Sequence, residues 1–288
     1  MTKSVVITGA TGYLGFKFLE KILEVKSSIC VVKRETSDIL KISSLCKNIK
    51  FYNTDEVSLD KMFKENDVDM IIHFATLYGR KNESIFQIKE ANLDFPLLLL
   101  KYGIEHNVKY FINTGTSLPY LTNQYSLFKN QFSECLQFFS SKIITLNILL
   151  EHFYGPDDDD SKFISSMIYR MKNNMLDIEL TEGTQLRDFI FIDDVISAYL
   201  CLINNINKFS GFNILPLGSG EVFTIRRIVE TIKDVSGSNS NLLFGKIPMR
   251  ENELLCSDAD ISKFQSLGWN PKFSLSEGLK LTIESYKK

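Results

Sequence analysis

Between Val5 and Leu149, short continuous apolar runs alternate with longer stretches whose apolar residues recur at helical spacing. Continuous apolar runs suit strands buried on both faces. Their alternation with helices predicts a parallel sheet covered on both sides. The runs are Val5-Val6-Ile7, Ile29-Cys30-Val31-Val32, Ile49-Lys50-Phe51-Tyr52, Met70-Ile71-Ile72, Tyr110-Phe111-Ile112 and Ile143 to Leu149. Helices are expected over about 13–25, 57–65, 84–106 and 123–139. Right-handed crossovers make this an α/β, doubly wound fold.

After about residue 150 the rhythm breaks. Gly155-Pro156 opens a loop with four consecutive aspartates, Asp157 to Asp160. Helices follow near 162–173, 193–205, 224–236, 258–267 and 275–286, with strands at Ile178 to Leu180 and Phe189 to Ile192. The pattern reads as a smaller, mixed α/β C-terminal lobe. The expected division is 1–150 plus about 186–206 for the first domain, and 151–185 with 207–288 for the second.

Lys and Arg total 33 against 35 Asp and Glu, a net charge of −2 with no basic block, which argues against nucleic acid as a partner. The run Leu97 to Leu100 is far too short to span a bilayer, so no membrane partner is expected. Met-Thr-Lys leads directly into a strand pattern without an apolar signal core, and a cytoplasmic location is expected. Cys30, Cys46, Cys135, Cys201 and Cys256 are an odd, widely spaced set, expected to be reduced. His73, His106 and His152 form no cluster with cysteines, and no metal is expected.

Gly9, Gly12 and Gly15 stand in Gly-Ala-Thr-Gly-Tyr-Leu-Gly between the first strand and the first helix. Glycines there let a backbone approach a pyrophosphate at a helix N-terminus, so Gly9, Thr11, Gly12, Tyr13, Leu14 and Gly15 are expected to bind a dinucleotide. The second strand ends in Lys33-Arg34-Glu35. A carboxylate at that strand end holds the ribose of NAD, whereas a guanidinium forks the 2′-phosphate of NADP. Lys33 and Arg34 favour NADPH/NADP, and a shift of one or two positions would give Glu35 the NAD role. Tyr125 and Lys129 lie four apart on an expected helix, which puts phenol and ammonium on one face. A nearby ammonium lowers a phenol's pKa toward the working range of an acid–base catalyst.

Taken together, these pieces resemble the extended short-chain dehydrogenase/reductases, the NAD-dependent epimerase/dehydratase family. The resemblance runs over nearly the whole chain. It rests on Thr8 to Gly15, Asp69-Met-Ile-Ile-His-Phe-Ala75, Tyr125 with Lys129, Tyr154-Gly-Pro156, Arg187-Asp-Phe-Ile-Phe-Ile-Asp-Asp194 and Leu267-Gly-Trp-Asn-Pro271. Within the family, Leu77 to Glu83, Ile112 to Pro119, Leu150 to Gly155 and Asp159 to Phe163 are similar to the CDP-paratose and CDP-abequose synthase type of 4-ketoreductase.

The resemblance implies a Rossmann-like domain with a substrate-binding lobe, and further roles for single residues. Asp55 matches an adenine-contacting acid, and His73 and Ala75 match the loop lining the cofactor. A strand-end His satisfied by local groups is the other reading of His73. Asn92 matches a helix residue that supports the site's backbone. Thr114 matches the hydroxyl that holds the reacting oxygen, with Thr116 and Ser117 as competitors. Arg187 and Arg250 match arginines on a substrate diphosphate, and Tyr78, Arg80, Thr116, Glu151 and Lys162 are further substrate candidates.

The implied activity is NADPH-dependent reduction of the C4 ketone of a nucleotide-linked 4-keto-deoxyhexose by Thr114, Tyr125 and Lys129. The best match is conversion of CDP-4-dehydro-3,6-dideoxy-D-glucose to a CDP-3,6-dideoxyhexose in surface-polysaccharide synthesis. A dTDP-4-keto-6-deoxyglucose reductase, an NAD-retaining epimerase or dehydratase, and a non-catalytic NADP sensor stay open. Gly115-Thr116 stands where the family's dehydratases carry an Asp-Glu pair, which disfavours dehydration. The helices over 84–106 and 123–139 match a pair that makes a homodimer in the family.

Overall fold

The computed structural model describes residues 3–45, 49–251 and 253–286. Cys46 lies outside the described residues. The first part of the chain runs β1 (Ser4–Thr8), α1 (Tyr13–Ile22), β2 (Ile29–Lys33), α2 (Leu40–Ser43), β3 (Ile49–Asn53), α3 (Glu56–Glu65), β4 (Val68–His73) and α4 (Ile85–Lys89). A π-helical turn at Glu90–Asp94 leads into α5 (Phe95–Glu105), then β5 (Tyr110–Thr114), α6 (Gln124–Phe138) and β6 (Ile144–Leu150). The second part holds β7 (His152–Tyr154), α7 (Phe163–Lys172), β8 (Asp177–Glu179), β9 (Leu186–Phe191) and α8 (Ile192–Asn204). It continues through β10 (Phe212–Leu217), β11 (Val222–Thr224), α9 (Ile225–Ser236), β12 (Asn241–Leu243), β13 (Cys256–Ser257), α10 (Ser262–Ser266) and α11 (Leu275–Ser285).

Among the described residues the main sheet has seven strands in the order β10-β6-β5-β4-β1-β2-β3. The pairs from β3 through β6 are parallel. This is the doubly wound order, in which the chain reverses direction between β1 and β4 and leaves a crevice at the strands' C-terminal ends. The sheet is lined by Val6, Cys30, Val32, Ile71 and Phe111, all buried, with Leu99, Leu100 and Phe132 from α5 and α6 packed over them. Burying such side chains contributes roughly 1.5–3 kcal/mol each relative to exposure.

The chain divides into two compact units. One takes the residues up to Leu149 with Ile203–Leu215, and the other Leu150–Leu202 with the residues from Pro216 onward. The returning segment is therefore not 186–206. Residues 186–202 belong to the second unit, where β9 pairs with β7, β11 and β13. What returns to the first unit is the stretch that feeds β10, which lies beside β6 at the edge of the main sheet.

Several of the motif positions turn out to be fasteners of the second unit. Asp188 is fully buried and accepts from Ser219 N at 2.7 Å and Gly220 N at 3.0 Å. Asp194 accepts from the backbone of Lys272 and Phe273 at 2.9 and 3.1 Å. Trp269 donates its indole N–H to Ser197 Oγ at 2.8 Å.

Three element expectations need correction. The helix over 84–106 is interrupted by the π-helical turn. The helix over 258–267 shrinks to Ser262–Ser266, because Asp260 accepts from Ser262 N at 3.0 Å and holds the preceding residues in a turn. Strands β7 and β10 to β13 have no counterpart among the strands expected from sequence. Among the described residues no helix is long and apolar enough to cross a membrane.

Candidate active site

The turn after β1 is shaped by what stands behind it. Gly9 has φ +71°, and a Cβ there would lie 2.5 Å from Ala75 N. A Cβ on Gly15 would overlap the Gly9 carbonyl. Gly12 N closes the turn on Gly9 O at 2.9 Å. Thr11 and Gly12 are exposed, Tyr13 is half-buried, and Leu14 points into the core. The N-terminus of α1 thus opens to solvent over a floor of bare backbone, as a bound pyrophosphate requires.

Below this floor, Thr8 Oγ1 lies 2.8 Å from His73 Nδ1 and accepts from Ala75 N at 3.3 Å. His73 is fully buried among Phe95, Phe111 and Phe132. Its ring is tied to the turn through Thr8. Burial also holds its pKa well below the ordinary range, with Lys129 adding to the effect.

At the end of β2 the two cations separate. Lys33 Nζ donates to Asn53 Oδ1 at 3.1 Å and to Arg34 O at 3.3 Å. Arg34 and Glu35 are exposed. Asp55 is the N-cap of α3 and accepts from Ser58 N at 2.9 Å, so the candidate adenine contact already has a structural task.

Tyr125 and Lys129 sit on α6, which starts with a capping box between Asn123 and Ser126. Both side chains are buried. Lys129 Nζ donates to Thr114 O at 3.0 Å. Thr114 therefore meets Lys129 through its backbone. The hydroxyls that act on Tyr125 are those of Thr116 and Thr76. Gly115 makes this arrangement possible, since a Cβ there would come within 2.6 Å of Asn147 Oδ1. Asn147 is in turn tied to Asn113 at 2.7 Å and Ser133 at 2.8 Å.

Burial pushes the Tyr125 phenol far above its ordinary pKa, and Tyr78 adds to the rise. Thr116, Thr76 and the Arg80 guanidinium pull it back. Burial pulls Lys129 down to about 7. The sequence reading gave the lowering of the Tyr125 pKa to Lys129. In the structure, the pull that opposes burial at Tyr125 comes from the two hydroxyls and Arg80.

Asn92, fully buried in the π-helical turn, holds the segment after β4. Its Oδ1 accepts from Thr76 Oγ1 at 2.7 Å and Leu77 N at 3.3 Å, and its Nδ2 donates to Leu77 O at 2.8 Å. Asn92 thus braces the backbone of this segment from inside the protein. Thr76 was missed from sequence, because a lone hydroxyl in a loop carries no periodic signal.

In the second unit Arg187 Nη2 pairs with Glu253 at 2.6 Å, and its Nη1 donates to Leu186 O at 2.8 Å. Arg250 is exposed, and its carbonyl accepts from Glu253 N at 3.1 Å. Glu151 is buried and accepts from Ser257 Oγ at 2.7 Å. Lys162 pairs with buried Asp158 at 2.8 Å and lies 3.9 Å from the Phe153 ring centre.

The sequence profile of the NAD dependent epimerase/dehydratase family matches residues 5–215. The chain belongs to this family. Among its members, a CDP-abequose synthase of Salmonella typhimurium (strain LT2) is 31% identical over 96% of this chain and 96% of its own. The fold is shared with the UDP-glucose 4-epimerase of Thermotoga maritima, solved with UDP-glucose, at a TM-score of 0.84 and 24% identity over 98% of both chains. It is shared equally with the UDP-glucose 4-epimerase of Thermus thermophilus, solved with NAD, at a TM-score of 0.83 and 20% identity over 98% of both chains. The family implies a nicotinamide dinucleotide. The backbone floor at Gly9 and Gly15 and the open N-terminus of α1 fit one.

Proposed function

We propose that this enzyme uses NADPH to reduce the C4 ketone of a nucleotide-linked 4-keto-deoxyhexose. The best substrate is CDP-4-dehydro-3,6-dideoxy-D-glucose, and the product is a CDP-3,6-dideoxyhexose. The observation that carries the chemistry is the burial of Tyr125, Lys129 and Thr116, with the Thr116 hydroxyl acting on the phenol and Lys129 donating to Thr114 O. The similarity to CDP-abequose synthase over almost the whole chain supports the substrate.

When bound, the nicotinamide supplies the hydride. Tyr125 donates the phenol proton to the oxygen that gains charge at C4. Thr116 positions that oxygen beside Tyr125, a role the sequence reading gave first to Thr114. Lys129, fixed to the Thr114 carbonyl, holds the nicotinamide ribose. Gly9, Thr11, Gly12, Tyr13 and Gly15 hold the pyrophosphate, and Arg34 the 2′-phosphate. In the second unit Arg187 and Arg250 take the substrate diphosphate, since a guanidinium can fork phosphate oxygens.

A homodimer through α4, α5 and α6 accompanies this reading. The exposure of Phe86, 79% on α4, supports it. Sedimentation of the purified protein checks it.

The deciding experiment is incubation with NADPH and a panel of CDP-, dTDP-, UDP- and GDP-linked 4-ketosugars, with product NMR. Stoichiometric NADPH oxidation with the CDP compound is the expected result. A strong preference for the dTDP compound overturns the substrate and leaves the mechanism. Interconversion of C4 epimers without net NADPH loss overturns both.

A further inference from the structure

We propose that Asn147, wedged between α6 and the turn after β5, is a positioning residue that sets where Thr116 stands relative to the helix carrying Tyr125. The proposal rests on the reading of Tyr125 as the proton donor and of Thr116 as the hydroxyl that positions the reacting oxygen.

Asn113 and Asn147 stand opposite each other where β5 and β6 pair. Both are buried, in strands that otherwise fill the core with Phe111, Ile112, Leu146 and Ile148. A buried amide costs free energy unless its polar atoms are matched. Asn113 Nδ2 donates to Asn147 Oδ1 at 2.7 Å, and Asn147 Nδ2 donates to Ser133 Oγ at 2.8 Å. The chain of bonds runs from β5 through β6 to α6. Apolar side chains at these two positions would hold the strands together without that demand. What the amides add is direction, since a matched polar network fixes one arrangement of the parts it joins.

Ser133 follows Lys129 by four residues on α6, which puts the two on one face of the helix. Lys129 Nζ donates to Thr114 O at 3.0 Å. The helix therefore holds the end of β5 twice, directly through Lys129 and through Ser133 by way of Asn147.

Asn147 also meets the residue after Thr114. Gly115 N donates to Ile148 O at 2.7 Å, and a Cβ on Gly115 would stand 2.6 Å from Asn147 Oδ1. The bare Gly115 backbone is thus pressed onto the Asn147 amide. Thr116 comes next, buried, with its Oγ1 accepting from Leu118 N at 3.2 Å. Leu118 in turn packs against the cluster of Ile88, Tyr125 and Phe128. The turn has a single seat, and the amide that forms the seat is oriented by the helix that carries Tyr125. Moving the amide moves Gly115, and with it the hydroxyl of the next residue. A displacement of about 1 Å in a catalytic group can cost on the order of 10²-fold in rate.

The test begins with Asn147→Leu, which keeps the outline of the side chain and removes both hydrogen bonds. With NADPH and the CDP-linked 4-ketosugar it should lower kcat by about 10- to 30-fold, while KM and the NADPH Kd stay within about threefold. Ser133→Ala cuts only the tie to α6 and should lower kcat by about 3- to 10-fold. Ser133→Thr keeps the hydroxyl and should recover most of that loss. Asn113→Leu combined with Asn147→Leu guards against misfolding, because replacing both partners of a buried hydrogen bond by apolar groups of the same shape is nearly neutral. The combined variant should melt close to the unaltered protein and lose as much kcat as Asn147→Leu alone. The deciding readout is a double-mutant cycle with Thr116→Val. If Asn147 acts by placing that hydroxyl, adding Asn147→Leu to Thr116→Val should lower kcat by no more than about twofold further. Losses that multiply would make Asn147 a general brace of the fold and overturn the proposal, as would an unchanged kcat in the combined leucine variant. Full activity of Thr116→Val alone would instead overturn the reading of Thr116. Absence of turnover of any nucleotide-linked ketosugar by the unaltered protein would overturn the proposed reaction, a result distinct from all of these.

Discussion

The Lys129 ammonium lies 3.0 Å from the Thr114 carbonyl oxygen on a side chain left 2% exposed. A single carbonyl is thin compensation for a buried charge, and the pKa falls to about 7. In the unfolded chain the same ammonium keeps its proton to about pH 10. Between those values the unfolded state binds more protons, so the cost to stability is full below pH 7 and fades as pH rises toward 10. Lys129→Met should therefore stabilise the cofactor-free protein at pH 7 by on the order of 2–4 kcal/mol while abolishing turnover. The gain should shrink by more than half at pH 9.5. Denaturant melts of both proteins at the two pH values read this, and an equal gap at both contradicts it. His73 does not confuse the comparison, because a histidine is neutral in both states above pH 7.

Thr116 and Thr114 separate cleanly by substitution. Thr116→Val removes a hydroxyl facing Tyr125 and should lower kcat by about 10- to 100-fold. Thr114→Val keeps the carbonyl that Lys129 uses and should retain most activity. Steady-state kinetics on the two variants decide it, and the reverse order would return the catalytic role to Thr114.

That the sequence left these two open has a physical cause. Tyr125 and Lys129 were legible because helical spacing fixes which residues share a face. The turn from Thr114 to Ser117 has no period. Which hydroxyl faces the phenol depends on Gly115 being pressed against Asn147, a residue of another strand. Likewise β1 to β6 were legible as continuous apolar runs, whereas β10 contains Pro216, which argues against a strand unless it lies at an edge. Strands β7 and β13 are too short to show alternation and exist through their pairing with β9.

Cofactor choice rests on the exposed end of β2. Arg34→Ala should weaken NADPH binding by about 1–3 kcal/mol and leave NADH nearly unchanged. Lys33→Ala should cost less, because its ammonium is tied to Asn53 and the Arg34 carbonyl. Fluorescence titration with both nucleotides measures this. Equal affinities in the unaltered protein would promote Glu35 and NAD.

Two glycines with the same backbone hand should respond differently. Gly237, the C-cap of α9, has φ +64° with nothing within 4 Å of an added Cβ, so Gly237→Ala should cost only about 1 kcal/mol. Gly9→Ala adds a close contact with Ala75 N to a similar φ. It should cost about 2–4 kcal/mol and abolish nucleotide binding. Thermal melts and NADPH titration of the two variants test the difference.

The position of β10 sets an order on the birth of the chain. As the ribosome releases Leu150, β1 to β6 have been made, but the strand that covers β6 is encoded at 212–217, beyond the Leu150–Leu202 portion of another compact unit. Until then the nascent sheet carries an open, apolar edge at Ile144–Leu150. Such an edge is a template for pairing with another chain. The first unit is thus finished late in translation, and a ribosome stalled anywhere between the two strands holds out a sheet that cannot close.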